Sequence, residues 1–188
     1  MKVFLIRWTL ALALSLAPGS IWAQSIKPVK VDAQQKQLVL STSAIETMRL
    51  ELDEAGNLGF RVVMGTTRGN GERVLMLERD LKTTQTVQFR LISTQLTETF
   101  KREVGDAALQ GFRVIPRTFL NKGGAILVVM ERAAAPTGPP KRYEYTLLST
   151  NQTSSLEKEW IVAISQNYVP SATITRSELM LLMEREGR

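Results

Sequence analysis

Three stretches of this chain close on the same apolar run followed by the same charged pair. They are Val74-Leu75-Met76-Leu77-Glu78-Arg79, Leu127-Val128-Val129-Met130-Glu131-Arg132 and Met180-Leu181-Leu182-Met183-Glu184-Arg185. The blocks also open alike, on Leu40-Ser41-Thr42, Ile92-Ser93-Thr94 and Leu148-Ser149-Thr150. Between opening and close, further columns match: Met48, Phe100 and Leu156; Glu51, Glu103 and Glu159; Leu52, Val104 and Trp160; Ala55, Ala107 and Ala163. Gly59-Phe60-Arg61 and Gly111-Phe112-Arg113 are answered in the last block by Asn167-Tyr168-Val169. A unit written three times restricts the architecture severely. Each copy is too short to bury its own apolar faces, so copies must lean on one another.

Periodicity gives each copy its elements. The opening runs Gln37–Thr42, Val87–Thr94 and Tyr143–Thr150 mix β-branched, aromatic and polar residues as half-buried strands do. Ile45, Met48, Leu52 and Ala55 then follow helical spacing, as do Phe100, Val104 and Ala107, and Leu156, Trp160 and Ala163. Ser43, Thr97 or Ser154 is the expected N-cap, and Ser154 with Glu157 fits a capping box. Gly59, Gly111 and Asn167 sit where a helix ends in a left-handed residue. Two strands follow, joined by turns at Gly69-Asn70-Gly71 and Asn121-Lys122-Gly123-Gly124. Pro116 and Pro170 interrupt the second strand of the later copies, which predicts edges or bulges there.

The expected fold is α+β: three tandem β-α-β-β repeats forming antiparallel sheets with helices packed on one face. The sheets either stack with helices outside or join in one curved sheet. The expected divisions are a leader (1–23), an N-terminal extension (24–36), repeat 1 (37–80), repeat 2 (81–133), a Pro-rich linker (134–142) and repeat 3 (143–188).

The leader has the marks of an export signal. Lys2 and Arg7 precede an apolar run from Trp8 to Ala17, and Pro18-Gly19-Ser20 breaks it before Ile21-Trp22-Ala23. Cleavage near Ala23 makes the protein secreted or periplasmic, and the apolar run is shorter than the roughly 20 residues that span a bilayer. No transmembrane segment is expected in the mature chain. With no cysteine, its stability rests on a hydrophobic core. Of 24 basic residues two lie in the leader, leaving 22 against 18 acidic ones, a net charge of +4.

Tyr143-Glu144-Tyr145, the helix around Leu156–Ala163, Met180–Arg185 and the turns at Gly59-Phe60 and Gly111-Phe112 together resemble a small bacterial domain family of uncharacterised function. In that family a Tyr-Lys-Val-type strand leads into a Leu/Glu-rich helix, then a Gly-Trp-Glu-Leu-Val-like turn, then an apolar strand ending in a basic residue. Here Phe or Tyr stands where that family favours Trp, and the third copy lacks the glycine. The resemblance implies a strand–helix–strand–strand unit and no activity.

The absence of histidine and cysteine removes the usual nucleophile pairs, histidine bases and zinc sites. No cofactor, metal or catalytic residue is expected. Glu51, Glu103 and Glu159 on the helices, and Glu78, Glu131 and Glu184 at the strand ends, are the remaining candidates for chemistry. Two carboxylates in one cleft would make a hydrolase of envelope glycans. Against this, glutamate favours solvated helix faces, and a Glu-Arg pair keeps a strand end wet. Arg61, Arg113, Arg117 and Lys122 are candidate binding residues, a basic rim for weak polyanion binding. The leading expectation is a non-enzymatic binding or scaffolding module of the bacterial cell envelope. Its expected partners are envelope proteins or further copies of itself, met through strand edges and an unshared apolar sheet face.

Overall fold

Alternating residues become strands because one side of each run finds an apolar neighbour. A computed structural model describes residues 31–83, 85–136, 138 and 141–187. The leader at 1–23, the first part of the N-terminal extension and part of the linker lie outside the described residues. The chain is α+β, with three helices and three antiparallel sheets.

The first sheet contains β1 (Gln37–Thr42), β2 (Arg61–Thr67) and β3 (Arg73–Glu78), in the order β1-β3-β2. Helix α1 (Ile45–Asn57) connects β1 to β2. The second sheet contains β4 (Val87–Thr94), the short β5 (Arg113–Val114), β6 (Leu120–Lys122) and β7 (Ala125–Ala133). Here β7 is central, with β4 on one side and β5 and β6 on the other, and α2 (Thr97–Leu109) follows β4. The third sheet runs β8-β10-β9, from β8 (Tyr143–Thr150), β9 (Val169–Thr175) and β10 (Leu179–Glu186), with α3 (Thr153–Ser165) after β8. In each sheet the apolar run that ends in Glu-Arg is the central strand, which explains why it is apolar on both faces.

The prolines act as local breaks. Pro116 opens a single 3-10 turn, Pro116–Thr118, that splits the edge of the second sheet into β5 and β6. The fully buried Thr118 repairs the gap: its Oγ1 accepts the Val129 N–H at 2.9 Å and donates to the Ile115 carbonyl at 2.7 Å. Pro170 lies beside a register shift between Leu182 and Met183.

Helices α1 and α2 lie neither outside a sandwich nor on one shared sheet, the two arrangements that the sequence had suggested. Helix α1 packs on β1 of its own sheet and on β4 of the next; α2 packs likewise on β4 and β8. Met48, Leu52, Ala55, Leu75 and Leu77 therefore share one core with Phe89, Leu91, Leu127 and Val129. Phe100, Val104 and Ala107 share a second with Leu147, Ile174, Met180 and Leu182. Helices α1 and α2 act as wedges between successive sheets, so sheet two is covered on both faces.

Close approach at the first wedge depends on Gly56. A Cβ there would lie 2.4 Å from the Val87 carbonyl oxygen and 3.1 Å from the Phe89 ring. Ala108, the corresponding residue of α2, is also buried.

Candidate interaction surface

Each helix ends in the same hydrogen-bond pattern. Phe60, Phe112 and Tyr168 donate their N–H to the carbonyls of Ala55, Ala107 and Ala163, while Gly59, Gly111 and Asn167 donate to Gly56, Ala108 and Ile164. With φ of 81°, 84° and 67° at Gly59, Gly111 and Asn167, these are Schellman caps. The alanine column is buried beneath them.

The closing arginines lock these caps. Arg79, Arg132 and Arg185 place their guanidinium carbons 4.6, 4.5 and 4.5 Å from the ring centres of Phe60, Phe112 and Tyr168. Each also donates from Nη1 to the C-cap carbonyl, Leu58 at 3.3 Å, Gln110 at 2.7 Å or Gln166 at 3.0 Å. Arg79 also holds the N-terminal extension, donating to the carbonyls of Asp32, Ala33 and Gln35.

N-termini differ from expectation. The N-cap residues are Ala44, Leu96 and Gln152, and none makes a side-chain cap bond, so Ser43, Thr97 and Ser154 do not act as N-caps. The hydroxyls of Thr42, Thr94 and Thr150 instead accept the N–H two residues on, at 3.1, 3.2 and 3.0 Å. These are turns of the Ser/Thr type. The repeated Ser-Thr of the sequence thus ends a strand by turning the chain toward the helix.

The closing glutamates join neighbouring sheets. Arg61 of β2 donates to Glu131 of β7. Arg113 of β5 bonds Glu184 of β10, Nε at 3.0 Å and Nη2 at 2.8 Å. Tyr145 donates its hydroxyl to the other Glu184 oxygen at 2.6 Å and accepts the Val114 N–H at 2.9 Å. These bonds hold both guanidinium pKa values above the usual range, and burial followed by the bond to Glu184 raises that of the Tyr145 hydroxyl. The Glu184 side chain is 8 % exposed, so this carboxylate is not the solvated strand end that the sequence suggested.

The series breaks at both ends of the chain. Glu78, at the corresponding position of the first sheet, is exposed; its described bond is a 3.4 Å contact from Gln37 Nε2. At the other end, Val169 stands where Arg61 and Arg113 stand, and it is 57 % exposed.

Helix α3 shows the same break. Its counterparts α1 and α2 are each covered by a following sheet, and Leu52 and Val104 are 1 % and 0 % exposed. No strand follows β10 among the described residues, and the matching Trp160 is 42 % exposed. Ile161, Val162 and Ile164 are exposed beside it. Facing away at the other end, β1 and β3 expose Val39 and Met76, which are direct cross-strand partners. Exposed apolar surface at these two ends is the candidate site.

The four basic candidates do not form one rim. Arg61 and Arg113 line a cleft of about 640 Å³ with Glu131, Arg132 and Lys141. Arg117 lines a different cleft with Met64, Phe119 and Pro170. Lys122 lies against Gly71 in the first hairpin turn. Glu103, Glu131 and Glu159 line three separate clefts. Among the described residues no three acidic side chains are grouped to hold a metal ion, and no helix is long and apolar enough to cross a membrane.

Sequence reasoning placed Trp160 in a core column and did not single out Ile161, Val162 or Ile164. The readable signal was the run Trp160-Ile161-Val162-Ala163-Ile164, apolar around the whole helix where α1 and α2 are amphipathic. Comparison with protein-family models, curated proteins and solved structures yields no match to this chain.

Proposed function

We propose that this chain is an exported, non-enzymatic binding or scaffolding protein of the bacterial envelope, built as three β-α-β-β units that wedge together in series. Support for the triplicate reading comes from the shared strand order, the three arginine-locked caps and the three threonine turns. Support for export comes from the basic and apolar pattern of residues 1–23.

One observation carries the binding role: α3 exposes Trp160 and Ile164, whereas the matching Leu52 and Gly56 of α1 and Val104 and Ala108 of α2 are buried. Exposed apolar surface of this kind on a folded chain marks a contact site. Engagement of Arg61 and Arg113 by internal carboxylates weighs against a polyanion rim. Separation of the glutamates into different clefts weighs against a two-carboxylate hydrolase.

Affinity capture from envelope extract tests the binding role. The native protein should retain a defined partner, or further copies of itself, and Ile164→Glu should lose it. Equal recovery with the native and substituted proteins overturns the reading.

A further inference from the structure

We propose that the open face of α3 receives the first sheet of a second copy, so that chains associate head to tail. This rests on the binding role proposed above and names its partner. The template is internal: α1 against β4 and α2 against β8 are two filled examples of one joint. Among the described residues, each chain also carries the two halves of that joint unfilled, α3 at one end and the outer side of β1 and β3 at the other.

Side-chain sizes at the open halves are reciprocal. In the first joint Gly56 of the helix meets Phe89 of the strand. In the second, the matching positions are Ala108 and Tyr145, packed in one core. At the free ends they are Ile164 on α3 and Gln37 on β1. The filled joints put a small helix residue opposite a ring, and the open ends put a branched helix residue opposite a side chain without one. Close packing favours pairing a larger side chain with a smaller one across a joint.

The ion pair is the part left out. An intermolecular joint would bring Glu78 of one chain to Val169 of the next, where the internal joints have Glu131 with Arg61 and Glu184 with Arg113. The contact is therefore apolar, weaker than the internal joints and reversible. Being heterologous, it extends to chains or rings instead of stopping at a symmetric dimer.

The test is sedimentation and light scattering across a dilution series of the purified protein, expressed with its own N-terminal segment. Average mass should rise with concentration past that of a dimer, and Trp160 emission should shift to the blue. Val39→Glu and Ile164→Glu should each be monomeric alone, with unchanged melting curves, and should form a one-to-one dimer when mixed. Val169→Arg places a cation opposite Glu78 and should tighten association about tenfold. A native protein that stays monomeric at every concentration overturns the proposal. So does undiminished association of Val39→Glu, which would mean that two α3 faces pair with each other, or an inert mixture of the two variants. A monomer that still captures an envelope partner through Ile164 overturns head-to-tail association alone and leaves the binding role standing.

Discussion

Helices α2 and α3 have the same length, the same Schellman end and the same arginine lock, yet α2 is buried on two sides and α3 on one. Local chemistry therefore does not set how much of a helix is covered. A cap is satisfied within a few residues, whereas coverage depends on what the chain does next. After α2 comes β8, which lays Tyr143, Tyr145 and Leu147 against it. After α3, among the described residues, comes the hairpin β9–β10 of its own sheet. The composition of each helix fits its place: α2 buries Ala108 where the next sheet packs, and α3 exposes Ile164 at the matching position.

The sharpest break in this comparison is truncation of the buried column. Phe100→Ala on α2 should cost about 3–5 kcal/mol, since the ring is fully buried and stacks on Phe119 with centroids 5.5 Å apart. Trp160→Ala on α3 should cost less than half as much in the same denaturant titration. Equal losses would mean that α3 is covered in solution by something outside the chain fold.

Next in size is the joint carboxylate. Glu184→Ala should destabilise by about 2 kcal/mol, because it strips both Arg113 and Tyr145 of their acceptor. Glu78→Ala, which removes no joint, should leave the melting temperature within about a degree. A matching loss at both positions would refute the distinction between joined and open ends.

The caps supply a smaller contrast. Gly111→Ala, at φ 84°, should cost about 1 kcal/mol of stability by chemical denaturation. Asn167→Gly should instead raise stability by a few tenths of a kcal/mol, at most about 1, because asparagine already tolerates its φ of 67° less well than glycine.

The smallest expected effect is a pH dependence on α1. Burial, with a further contribution from Glu54, raises the Glu51 pKa above 4.5, and its Oε2 has no hydrogen-bond partner among the described residues. Ionising Glu51 therefore costs more in the folded chain than in the unfolded one. That penalty is absent below the unfolded value and grows as pH rises through the folded one. Glu51→Gln should gain a few tenths of a kcal/mol at pH 7 and nothing near pH 3. Melting curves at the two pH values would show it, and a gain confined to low pH would reverse the assignment.

Much of the fold was legible because its signals are short-ranged. The opening strands β1, β4 and β8 begin and end where alternation places them, and the left-handed caps fall on Gly59, Gly111 and Asn167. The proline breaks in the second strands were visible too. What was not legible concerns partners far apart in the chain. Arg61 reads as a surface cation until Glu131 is found beside it, and nothing local marks Tyr145 as the group that satisfies the Val114 N–H. The N-caps failed for a related reason. Serine and threonine near a helix start can bond in more than one way, and Thr42, Thr94 and Thr150 bond their own turns.

The amino-acid order alone settled the period of each element, the points where helices stop and the apolar character of the three central strands. Those follow from side-chain alternation, from glycine's access to left-handed backbone and from the bonds a turn makes within itself. Only the tertiary structure decided that each of the first two helices wedges between two sheets, that Glu131 and Glu184 are joints, and that α3 keeps one apolar side open. Burial is a property of neighbours, and neighbours in space are chosen by the packing of the whole chain.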